Sequence, residues 1–108
     1  MKEERAIPYE FKKNGMFFSL QQRSGKVVMY ACRHHETGKP RGFEVMIIQI
    51  RPEGRIGGNV IRGGECLPST SQWGVMGWSF LPTEEERATA RFKKACKHFN
   101  IRRLVRHK

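Results

Sequence analysis

From Met16 onward, the apolar side chains Met16, Phe18 and Leu20 form one row against Ser19 and Gln21 on the other, the period of a strand with one face toward a core. Ser24 and Gly25 supply a tight turn. Val27 to Cys32 resumes a β-branched and aromatic run, so the two stretches predict a β-hairpin. His34 to Gly42 contains Gly38, Pro40 and Gly42 and reads as an exposed loop leading into a second hairpin. Phe43 to Ile50 is almost continuously apolar, interrupted only by Glu44 and Gln49, as expected of a central strand with both faces at least partly covered. Pro52 ends it. Ahead of Met16 only Ile7, Tyr9 and Phe11 alternate, which supports at most a short edge strand.

Five glycines between Gly54 and Gly64, with Ile56, Val60 and Ile61 among them, predict an irregular hairpin arm or bulged ribbon whose register the pattern leaves open. Residues 65–80 combine a Pro-Ser-Thr-Ser loop with two Trp-anchored turns, and Trp78 and Phe80 alternate like a last short strand. A helix follows. Thr83 is its expected N-cap and Glu86 the partner three residues on, while Glu84, Glu85 and Glu86 sit at the positive end of the helix dipole. Ala88, Phe92, Ala95, Cys96 and Phe99 recur at helical spacing as one apolar stripe. Asn100 is expected to close the helix and Ile101 to Lys108 to form a basic tail.

Strands followed by one helix imply an α+β fold: an antiparallel sheet of three to five strands with one C-terminal helix packed on one face. The length of 108 residues fits one domain over 1–108 with loose ends at 1–15 and 101–108. The sheet face away from the helix is expected to stand open to solvent or to a partner.

Charge changes this picture most. Lys and Arg number 21 against 10 acids, all Glu, for a net charge of +11. Nine of the basic residues lie between Arg87 and Lys108, where there is no acid. At 100° per residue, Arg87, Arg91, Lys94 and His98 share a stripe roughly opposite the apolar one, with Lys93 and Lys97 on its flank and Arg102 and Arg103 beyond. Such a row can track phosphates, although a solvated helix face accounts for it as well. Arg55 and Arg62 of the glycine arm, with Arg51, are further candidates for a polyanion. Trp73 and Trp78 could stack bases, or plug corners of the fold with their N–H groups bonded locally.

Other chemistry has less footing. Cys32 with His34 and His35, and Cys96 with His98, invite a zinc hypothesis. On a helix, however, positions i and i+2 diverge by 200°, and buried free thiols explain both cysteines. The chain has no Asp, so the common triads and mixed carboxylate dyads lack a member. Glu44 reads as a perturbed base or, more simply, as the partner of a sheet Arg or Lys. Gly57-Gly58 and Gly63-Gly64 match no phosphate loop. The expectation is a protein that is not an enzyme and uses no metal or other cofactor. Three irregularly spaced cysteines, the absence of an apolar leader and the lack of a run approaching a membrane span point to a reduced cytoplasmic setting without a membrane partner.

The order FEVMIIQI, IGGNVI, GECLPSTSQWGVMGWSF and then T-x-E-E ahead of Ala88 and Phe92 resembles a group of small uncharacterised proteins encoded by tailed bacteriophages. The likeness covers residues 43–92, about half of the chain. It implies a phage origin and a host-cytoplasm setting, in which small basic proteins act by binding. The residues thus favour a nucleic-acid-binding protein using Arg87, Arg91, Lys93, Lys94, Lys97, Arg102, Arg103, Arg55 and Arg62. The alternatives are a module that inhibits or modulates an acidic host protein, and a virion or assembly component.

Overall fold

Packing onto both faces of the same strands shapes this molecule. A computed structural model describes residues 6–61, 63–68 and 72–106. Four strands follow one another as a meander: β1 (Glu10–Lys13), β2 (Met16–Ser24), β3 (Val27–His34) and β4 (Pro40–Ile47). The chain then leaves the sheet for a glycine-rich arm built from β5 (Gln49–Arg51), β6 (Gly54–Ile56), β7 (Asn59–Ile61) and β8 (Gly64–Cys66). It returns as β9 (Gly77–Phe80), which pairs with β4, and a 3-10 turn (Pro82–Glu84) leads into helix α1 (Glu85–Arg106). The main sheet is antiparallel with order β1-β2-β3-β4-β9, so the expected α+β architecture holds and reaches five strands.

Alternation along β3 and β4 sorts two hydrophobic layers. Val27, Met29, Val45 and Ile47 pack under Ala88, Phe92 and Ala95 of α1, with Cys96, Phe99, Trp78 and Phe80 at the margin. The apolar helix stripe therefore meets the sheet as its spacing requires. Val28, Tyr30, Cys32, Met46 and Ile48 point the other way and, with Phe18, form a second buried layer. The expectation of an open far face is thus corrected. Ile7, Leu67 and Trp73 pack over this layer, and Tyr30 Oη donates to the Pro8 carbonyl at 2.6 Å. Central strands apolar on both sides would otherwise expose their second row to water.

The N-terminal segment is held there by polar ties. Glu65 at the base of the arm accepts from the Ile7 N–H at 3.4 Å and from both terminal nitrogens of Arg23, at 3.0 and 2.5 Å. Residues 10–13 are ordered as β1, with the Phe11 ring stacked on Phe18 at 4.6 Å. The part of the expected loose end 1–15 that is described is thus tied to the fold, and residues 1–5 lie outside the described residues.

Four local expectations change. The loop after β3 is shorter than 34–42, because β4 already begins at Pro40 through a register shift at Cys32/Arg33. The run 43–50 splits at Ile48: its N–H donates to Lys26 O in the turn between β2 and β3, leaving Gln49 to start pairing with Cys66. The helix entry lies two residues earlier than Thr83. Leu81 O accepts from Glu84 N–H and Glu84 Oε1 accepts from Leu81 N–H, both at 2.9 Å, with Pro82 on the first turn, where its missing N–H costs nothing. Finally, α1 runs through Asn100 to Arg106, since Asn100 is not followed by a glycine or proline that would stop it.

Candidate functional site

The basic row of α1 spreads from the margin of the apolar stripe at Arg91 to nearly opposite it at Lys94. Helical spacing sets Arg91 only about 80° from the centre of that stripe, and the helix lies across β3, β4 and the edge strand β9. Arg91 is therefore half-buried and reaches over the sheet margin, where its guanidinium sits 4.6 Å above the Trp78 ring centroid. Arg87 one turn earlier and Lys94 nearly one turn later lie on the same flank. An open groove of about 660 Å³ runs between this flank and the edge of β9. Its walls include Trp73, Trp78, Arg87, Arg91 and Lys94, and among the described residues no acid lines it.

Trp78 enters the groove from the helix side of the sheet and Trp73 from the other side, around the end of β9. Trp73 behaves as the corner plug that its sequence context suggested. Its ring lies against Gly77, where a Cβ would come within 2.5 Å of the indole, and Nε1–H donates to Ser79 Oγ at 3.0 Å. Ser79 Oγ in turn donates to Glu44 Oε2 at 3.4 Å. Glu44 thus takes a hydroxyl partner in place of the expected ion pair. Burial raises its carboxyl above the usual range, with the Ser79 bond and the nearby Lys13 charge opposing.

The candidate cations divide into groups. Arg87 is partly spoken for: its guanidinium bonds Glu84 at 2.5 Å, although it remains 73% exposed. Glu84 is held below the usual carboxylate range by the Leu81 N–H and by Arg87. Lys94 is exposed and has no ion pair among the described residues. Lys93 lies on the other flank of α1 in a shallow recess with Glu85, Glu86 and Thr89, and Lys97 is exposed one turn further on. His98 is exposed, with its ring edge-on to Phe99 at 4.7 Å. Arg102 and Arg103 fall on the last turns of α1, and their side chains lie outside the described residues, as does Arg62.

Arg55 is exposed on β6, opposite Val60. The arm that carries it is anchored at its base by Glu65 and Leu67 to the sheet face away from α1. The structure thus gathers Arg87, Arg91 and Lys94 with the two tryptophans and ties the arm to the opposite layer. Groove formation could be sensed in the sequence only as helical spacing plus a nearby W-G-x-x-G-W stretch. The pairing of β9 with β4, which sets the two beside each other, has no short-range signature.

Cys32 belongs to the far layer and Cys96 to the helix layer, so the sheet separates the two C-x-H pairs. Burial pushes the Cys32 thiol up to about 12, as for an inert core cysteine. Among the described residues no group of three His, Cys or Glu side chains is placed to hold a metal ion. No described helix is long and apolar enough to cross a membrane. No family model, curated protein or solved structure matches the chain.

Proposed function

We propose that this protein is a non-enzymatic binding module that takes nucleic acid into the groove between α1 and β9. The observation that carries this reading is the convergence of Arg87, Arg91 and Lys94 on one concave wall that contains two indoles and, among the described residues, no acid. Cations alone on a convex helix face are ordinary. Cations gathered in a recess concentrate positive potential where a phosphate can approach several at once, and each phosphate neutralised releases counterions. The likeness of residues 43–92 to phage proteins gives such a module a setting in a host cytoplasm.

The reading separates the two flanks of the helix. Lys94→Glu combined with Arg87→Glu removes cations from the groove, while Lys93→Glu with Lys97→Glu makes the same net change on the other side. Fluorescence-anisotropy titration with labelled single- and double-stranded oligonucleotides at low salt should show binding. The groove pair should weaken it at least tenfold, and the other pair by no more than about threefold. Equal losses for the two pairs would mean that net charge, not the groove, carries the affinity. Absence of binding at low salt would remove the function.

A further inference from the structure

We infer that the strand the groove accepts is single, with an unpaired base stacked against the Trp78–Arg91 pair and its flanking phosphates held at the rim by Arg87 and Lys94. This rests on the reading of the groove as a nucleic-acid site and adds which form of nucleic acid it takes.

Three observations point the same way. First, Arg87, Arg91 and Lys94 line the groove beside β9, with Arg91 drawn over Trp78. The outer side of α1 carries Lys93, Lys94 and Lys97 with Glu86 and Ala90 among them, so the charge it presents to a duplex groove is interrupted by an acid and an apolar position. Second, the groove walls include two indoles. Bases within a duplex are already stacked on one another, whereas unpaired bases have free faces, and aromatic or guanidinium planes accept them without regard to sequence. Arg91 over Trp78, 4.6 Å from the ring centroid, offers the outer face of its guanidinium as a plane already backed by the indole. Third, the groove is rigid on its Trp73 side, since that ring is pinned by Ser79 and lies on Gly77. A fixed wall lowers the ordering cost of inserting a base.

Size and span agree with this occupant. A volume of about 660 Å³ suits a ligand of nucleotide dimensions. Arg87 and Lys94 are separated by about 10 Å along the helix axis, a short stretch of extended strand.

The chain contains two tryptophans, and both line the groove, so intrinsic emission reports the site directly. The experiment titrates the full chain with a single-stranded oligothymidine and with a blunt duplex of equal length, following tryptophan fluorescence and anisotropy together. Oligothymidine should quench the emission and bind at least tenfold more tightly than the duplex, which should leave the emission unchanged. Trp78→Leu keeps an apolar contact under α1 and should lose about tenfold in oligothymidine affinity, while the wild-type quenching needs no variant to be read. If both forms bind with equal, salt-sensitive affinity and neither quenches, the stacked single strand is overturned while the groove remains an anion site. If neither binds at low salt, the underlying function fails as well.

Discussion

At the residue scale, close approach and polar pairing decide what each position tolerates. Gly42 sits at φ 143° where β4 enters the sheet, and a Cβ there would lie 2.0 Å from the Phe80 carbonyl oxygen. Gly42→Ala must therefore shift β9 or strain β4, and it should cost at least about 2 kcal/mol in urea unfolding. Gly38→Ala is the matched control, with φ 74° but open space around it, and should lose about 1 kcal/mol. Similar losses would place the constraint at Gly42 in its backbone angle alone. Sequence reading recognised Gly42 only as a loop breaker, because the close neighbour comes from residue 80.

Glu65 carries a second prediction at this scale. Arg23 holds its carboxyl below the usual range, with the Ile7 N–H assisting. A carboxylate whose folded-state pKa is depressed stabilises the fold above its unfolded value, about 4.3, and loses that contribution as pH falls through the folded value. Glu65→Gln should therefore lower the melting temperature at pH 7, and the gap from wild type should close as pH drops below about 4. Glu44 has the opposite sign, since burial raises it. Its charged form opposes folding at neutral pH, and acidification through its raised value relieves that cost. A Glu65 gap that widened in acid would contradict the pairing.

At the element scale, periodicity was the most legible feature and boundaries the least. The stripe Ala88, Phe92, Ala95 could be read directly because it is local, and the strands of the meander because alternation survives in one sequence. The far layer was harder. Val28, Tyr30 and Met46 are covered by segments distant in the chain, and nothing near them signals what covers them. The helix entry illustrates the competition between cap signals: T-x-x-E fits the capping pattern at Thr83, yet Pro82 and the reach of Glu84 back to Leu81 N–H set the start earlier. Glu84→Ala should consequently reduce amide-exchange protection in the first turn of α1, whereas Glu86→Ala should leave it nearly unchanged. The reverse order would restore Thr83 as the cap.

At the scale of the whole molecule, charge is partitioned by the two hydrophobic layers. The helix layer carries Arg87, Arg91 and Lys94 to the margin of β9, while the glycine arm with Arg55 is anchored to the other layer. A sequence-level sum of +11 treats these as one reservoir, but the fold does not. Arg87 is in part neutralised by Glu84, and Arg91 is shared with Trp78, which leaves Lys94 as the exposed groove cation without an ion pair among the described residues. The proposed site is therefore small: a few phosphates and the base between them.

That small size makes the salt dependence of affinity the most direct test. For a single strand contacting three cations, log affinity should fall with log salt at a slope of about −2. Reversing the charges of Arg87 and Lys94 should flatten that slope by about one unit or more, whereas reversing Lys93 and Lys97 should leave it close to the wild-type value. A wild-type slope unaltered by the groove substitutions would contradict the account, because the bound phosphates would then be neutralised elsewhere.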